Sequence, residues 1–247
     1  MEGLEHSLAA VKLFNKIFGP PLASLLGLFG VKVRDPLHLF PDYIAMVIVV
    51  TAVLIVVFSL ASRKLAIIPS KRQSVLEMIY GLFEGLVMDT IGPGGKVYIP
   101  VIGTVGLFIF SCNLIGLVPG FMSPTSKLNV TVGCALAVFF YYHAQGVRAQ
   151  GLKYFKQFMG PIPALAPLMI PIEVISHFSR PVSLSMRLFG NIFSEELLIA
   201  IMASIIPFLL PLPFMAVAIF TAVIQAFVFV LLACIYIAGA VAHEEEH

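Results

Sequence analysis

"YIAMVIVVTAVLIVVFSLA", residues 43–61, carries no ionisable side chain apart from its leading tyrosine and ends against Arg63 and Lys64. A helix of about 20 apolar residues is what it takes to cross the hydrocarbon of a bilayer, so this stretch reads as a membrane span. The whole 247-residue chain agrees: 60% of it is hydrophobic and only 11% charged, with a mean hydropathy of +1.02. Soluble domains carry about 25% charged residues. A chain with this little charge could not cover its own surface in water, and its solvent is lipid.

Composition excludes other classes. A formal net charge of +2 gives no reason to expect nucleic acid. Cys112, Cys134 and Cys234 lie in apolar runs without metal-ligand spacing and read as small buried hydrophobes, so neither metal nor cofactor is expected. No GxxxxGK[ST] nucleotide loop is present, and no catalytic chemistry is expected of this chain alone. The first residues, "MEGLEHSLAAVKLF", lack the basic start of a signal peptide. Residues 1–40 are expected to form an external or interfacial segment.

Outward from 43–61, residues 67–92 repeat apolar side chains at helical spacing (Val75, Met78, Ile79, Leu82, Phe83, Leu86, Val87) but are interrupted by Glu77, Glu84 and Asp89. That pattern predicts an amphipathic interfacial helix. Residues 97–121 and 128–147 predict two more spans, the first closed by a Pro/Gly corner and the second bearing Tyr141 and Tyr142 as interfacial anchors. The segments 167–210 and 211–242 are apolar and longer than one upright span needs. The expected fold is an all-α integral membrane protein in one domain. It has about five transmembrane helices, the last two long and strongly tilted, plus one amphipathic helix.

Loop charge sets the orientation. With five spans, Arg63, Lys64, Lys71, Arg72, Lys96, Arg148, Lys153 and Lys156 share one side, and the 122–127 loop on the other carries only Lys127. The positive-inside rule then puts the N-terminus outside and the "HEEEH" tail in the cytoplasm.

Polar groups collect in the fourth predicted span. With 172–206 wound at about 100° per residue and Arg187 at zero, Arg180 falls at about 20°, and Glu173 and Asn191 at about 40°. Ser176 and Ser183 lie at about −20° and −40°, His177 and Glu195 at about 80°, and Glu196 on the opposite side. An ionised group at the bilayer centre costs about 2.5–3.5 kcal/mol on insertion scales, so such a face meets protein or water. Carboxylates and histidine along one helix suit an ion path. Arg187 cannot release its proton, which leaves it an electrostatic role: favouring a nearby deprotonated carboxylate and repelling other cations. The competing structural reading pairs Glu173 with Arg180 as a simple buried ion pair. In the last segment Gln225 is the strongly polar side chain, either hydrogen-bonded to Arg187 across an antiparallel pair or clasping two helices together.

"SLSMRLFGNIFSEEL" followed by "IQAFVFVLLACIYIAGAV", with "PIEVISHFSRPVS", "FIFSCNLIGLVPG" and "PTSKLNVT" upstream, closely resembles subunit a of the membrane sector of F-type ATP synthases, over nearly all of the chain beyond about residue 40. The resemblance implies that Arg187 is the stator arginine facing the ring carboxylate, with Asn191 and Gln225 as its polar neighbours. It implies that Glu196, with Glu195 beside it, belongs to one aqueous half-channel. Glu173, Ser176 and Arg180 would line access pathways, and Asn113 would match an asparagine on the preceding span. His177 has no such counterpart and is expected to take over part of the work of a histidine that some bacteria carry near position 218, where it can interact with the half-channel glutamate. The implied partners are the c-ring, the peripheral-stalk subunit b and the bilayer, and the implied setting is a bacterial plasma membrane. Two positions depart from the pattern: Ala218 stands where some bacteria have a histidine, and Lys127 where an acidic or neutral residue is common. An ion-coupled secondary transporter is the alternative class, although two related halves with interrupted helices are not visible here.

Overall fold

The computed structural model describes residues 16, 20, 41–64, 66, 67, 69–118, 121–151, 153, 154, 166–207 and 209–241. The expectations for the segment before residue 40, for Lys156 and for the acidic tail lie outside these residues. Among the described residues the regular structure is entirely helical. The elements are α1 (Asp42–Ala61), α2 (Lys71–Ile91), α3 (Ile99–Ile115), α4 (Leu128–Gln150), α5 (Ala166–Ile205) and α6 (Pro211–Val241). Short 3₁₀ turns at Pro93–Tyr98 and Pro124–Ser126 lead into α3 and α4. Five of the helices are long and apolar enough to cross a membrane, the second of them counted from Pro93 through α3. The sixth, α2, begins on Ser70, whose hydroxyl accepts from the Gln73 N–H as a helix cap.

The last two helices set the architecture. At 40 and 31 residues, α5 and α6 are about 60 and 46 Å long, against a hydrocarbon layer of about 30 Å. Helices of that length stay within the layer only by lying far from its normal. α5 runs unbroken through Pro171 and Pro181.

The core is built around α6. Its buried face repeats small residues, Ala218, Ala222, Ala226, Ala233 and Ala240, between Phe229, Val230 and Ile237. Small side chains let helix backbones approach closely, which is how helices associate where lipid removes the hydrophobic drive. One cluster joins Ile109 of α3, Ala135 and Val138 of α4, and Leu184, Leu188 and Ile192 of α5 to this face. A second joins Val87 of α2, Ile99 and Ile102 of α3, Tyr142 of α4 and Tyr154 to its C-terminal half. α2 turns only part of its apolar face inward: Val87 is buried, whereas Val75, Met78 and Leu82 are more than half exposed. Periodicity reports an apolar face, but it does not say whether protein or lipid covers it.

α4 and α5 pack antiparallel. The turn before α4 meets Glu196 late in α5, while Tyr142 late in α4 meets His177 early in α5. The polar groups of α5 are thereby divided between two opposite ends of the bundle.

Candidate functional site

Leu184, Leu188 and Ile192 anchor α5 to the core, and their direction lies about 100° around the helix from Arg187. Arg187 is therefore carried on the outer flank. It is exposed and makes no ion pair or hydrogen bond with any described residue. Ser183 and Asn191, one turn to either side, are exposed with it, and the flank of α5 beside this stripe is apolar, with Val182, Met186 and Phe193 between 48% and 60% exposed. Only 11% of the apolar stretch of α5 is buried within this chain.

Asn191, one turn further on, bridges to the core. Its Nδ2 donates to Gln225 Oε1 at 2.7 Å. Of the two readings of Gln225, this contact is the helix–helix clasp: Gln225 is buried, and Asn191, about 40° nearer the packed side of α5, reaches it in place of Arg187. The amide pair holds α5 on α6 and leaves the guanidinium of Arg187 outside.

Towards the C-terminal end of α5 lies a polar cluster. Glu196 Oε1 accepts the Ser123 N–H at 2.9 Å. The Ser123 hydroxyl is 2.7 Å from Thr125 Oγ1 and donates to the Cys112 carbonyl at 2.8 Å. Thr125 Oγ1 donates to Asn113 Oδ1 at 2.6 Å. Gly116 permits this approach, because a Cβ there would lie 2.6 Å from Ser123 Cβ and 3.1 Å from Glu196 Oε1. A cavity of about 230 Å³ opens beside the cluster, lined among others by Asn113, Ser123, Glu195 and Glu196. Asn113 Nδ2 is buried without a protein acceptor, as is Gln225 Nε2. Buried donors without partners are uncommon in native proteins. Glu195 sits beside Thr221 of α6, and Ala218 is buried one turn before it.

At the other end, His177 is buried on the packed side of α5, at the end of the bundle opposite Glu196, which corrects the expectation that it takes over the work of a histidine at position 218. Its Nε2 lies 3.4 Å from Glu173 Oε1 and its Nδ1 3.1 Å from the Tyr142 hydroxyl. Arg180 stacks its guanidinium over Tyr236 at 5.2 Å. Glu173 and Arg180 form no ion pair among the described residues; Glu173 turns to His177 instead. Ser176 is half-buried on the same turn of helix.

The structure thus brings Asn113, Glu195 and Glu196 around one cavity, Glu173, His177 and Arg180 to the other end, and Arg187 between them with Asn191 and Gln225 behind it. Sequence reasoning missed Ser123, Thr125 and Ser126, although the Ser/Thr-rich turn after a Pro/Gly corner was the available signal. It also missed His143 and Tyr154, and it read Tyr142 as an interfacial anchor, whereas that ring is buried in the core; the importance of all three depends on contacts between helices.

A family model described as ATP synthase A chain matches residues 44–238. Among curated relatives, ATP synthase subunit a 2 of Syntrophotalea carbinolica is 47% identical over 210 residues, 85% of this chain and 89% of that protein. ATP synthase subunit a of Geotalea daltonii is 48% identical over 206 residues, 83% of this chain and 89% of the relative. ATP synthase subunit a of a Sulfurihydrogenibium species is 41% identical over 204 residues, covering 83% of this chain and 99% of the relative.

Proposed function

The chain belongs to the ATP synthase A chain family, and from that premise we propose that it is the stator subunit a of the membrane sector, passing protons to and from the c-ring through two aqueous half-channels. It is a multi-pass membrane protein. The secondary-transporter alternative is not favoured by this membership.

Arg187 carries the reading. A permanent cation exposed beside an apolar flank of a membrane-spanning helix, without a partner among the described residues, is costly against hydrocarbon. It calls for an anionic partner outside the chain, and a carboxylate on a moving ring supplies one. Protons enter one half-channel, neutralise a ring carboxylate, travel with the ring through lipid and leave by the other. Arg187 stabilises each carboxylate while it is deprotonated and bars a direct route between the channels.

The cavity of Asn113, Glu195 and Glu196 supports one half-channel. At about 30 Å³ per water it has room for several, and Asn113 Nδ2, which lacks a protein acceptor, suits a water-lined wall. Glu173, Ser176, His177 and Arg180 mark the other half-channel. Loop charge puts the first on the outside and the second on the cytoplasmic side of a bacterial plasma membrane, with the N-terminus outside. An apolar groove of about 700 Å³ between α1, α2 and α3, lined by Leu54, Phe58, Tyr80 and Phe83, is where we seat a membrane helix of subunit b.

The test is Met186→Cys, one residue from Arg187 and 51% exposed, carried in the intact complex and treated with a membrane-permeant cross-linker. Covalent capture of the small ring subunit is the expected result. Labelling that never captures it, in an active complex, overturns the placement.

A further inference from the structure

The cytoplasmic-side carboxylate does not stand alone. Behind Glu173 and His177 lies a layer of rings supplied by α4 and the residues just after it. Tyr142 meets His177 Nδ1 at 3.1 Å, and the two rings stack with centroids 6.2 Å apart. His143 lies 5.2 Å from the His177 ring and 4.3 Å from the Tyr142 ring, centroid to centroid. The Tyr154 hydroxyl in turn meets His143 Nδ1 at 2.7 Å. Tyr154 is buried although it follows the end of α4. It is seated against Gly146, where a Cβ would come within 2.5 Å of its ring.

These contacts fix orientations in series. If the Tyr142 hydroxyl donates to His177 Nδ1, the neutral imidazole carries its hydrogen on Nε2, the atom that faces Glu173. His143 packs against both rings and is itself held by Tyr154. A hydrogen bond from behind is the usual way to fix the tautomer and ring angle of a working histidine. The charged and titratable groups facing this layer are Glu173 and Arg180 from α5, Tyr142 and His143 from α4, Tyr154 after it, and Tyr236 from α6.

We propose that His143 and Tyr154 are positioning residues for the Glu173–His177 pair, so that the segment emerging from α4 sets proton transfer at this half-channel. The proposal rests on the half-channel reading above. A ring layer that served packing alone would need neither the phenolic hydroxyl of Tyr154 nor a ring nitrogen of His143 2.7 Å from it.

The experiment uses the assembled complex in inverted vesicles, following ATP-driven acidification across a range of pH. Tyr154→Phe keeps the ring against Gly146 and removes only the hydroxyl. It should slow pumping about fivefold, the effect of one neutral hydrogen bond, and alter the pH profile. His143→Leu should do the same, whereas His143→Asn, which retains an acceptor near the Nδ1 position, should restore most of the rate. Tyr154→Phe with unchanged rate and profile overturns the proposal, as does His143→Asn failing as fully as His143→Leu. Arg187→Ala run alongside keeps the two levels apart. If it abolishes pumping while Tyr154→Phe changes nothing, only the positioning role falls; if it leaves pumping intact, the half-channel reading itself falls.

Discussion

Replacing Gly116 by alanine adds one methyl group against the Ser123–Glu196 contact. Gly116 has right-handed backbone angles, φ −64° and ψ −19°, so the backbone accepts alanine without strain and the effect is steric. The new Cβ would lie 2.6 Å from Ser123 Cβ, and 3.1 Å from both Ser123 N and Glu196 Oε1. Carbon atoms pack at about 3.5–4.0 Å, so Ser123 must withdraw by about 1 Å. Its N–H bond to Glu196, now 2.9 Å, then leaves bonding range. A hydrogen bond to a charged group contributes about 1.5–3 kcal/mol. If that loss falls on the proton-transfer step, pumping slows by about tenfold to a hundredfold. The assay is ATP-driven acidification of inverted vesicles at equal amounts of assembled complex. Gly133→Ala is the control, because a Cβ there meets nothing within 4 Å. Pumping by Gly116→Ala within twofold of Gly133→Ala would refute the assignment of the Ser123–Glu196 contact to the path.

Three further predictions concern other parts of the structure. Asn191→Ala removes the bond to the buried Gln225 and strands a polar group in the core, so thermal unfolding of the purified complex should show a loss of about 1–3 kcal/mol, with coupling impaired. Lys96→Gln breaks an exposed pair with Glu84 at 3.1 Å; such pairs contribute about 0–1 kcal/mol, and neither thermal stability nor pumping should change measurably. Burial raises the Tyr154 phenol above its ordinary value, Arg180 partly opposing it. A released tyrosine ionises near pH 10 while the buried one holds its proton, so docking of this segment should weaken as pH rises through that value. Protease cleavage after Lys153 should accelerate at alkaline pH in the wild type and much less in Tyr154→Phe.

Much of the fold was legible because lipid imposes simple rules. Residues 43–61 had to be a span by length and charge alone, and the excess length of the last two helices is plain in the length of their apolar segments. Arg187 was legible for the same reason: its charge is permanent, so its place in an apolar run demanded explanation. What the sequence could not supply was the rotation of each helix against its neighbours. A helical wheel puts Asn191 only about 40° from Arg187, yet that difference decides which of them meets Gln225. The same limit hid the burial of the Ser123–Ser126 turn, which reads as a solvent loop, and the ring layer behind His177, whose members come from α4, α5 and the segment between them. It also left the apolar face of α2 undivided, since lipid and protein select the same residues.

The central claim is that Arg187 couples ring movement to proton flow and seals the route between the half-channels. A membrane potential supplies about 2.3 kcal/mol per charge per 100 mV, so any direct leak past this residue dissipates the drive. The decisive measurement is Arg187→Ala in inverted vesicles containing assembled complex, with ATP-driven acidification and passive proton permeability followed together. The account predicts that pumping is lost and passive permeability rises. Normal pumping with a tight membrane would contradict it.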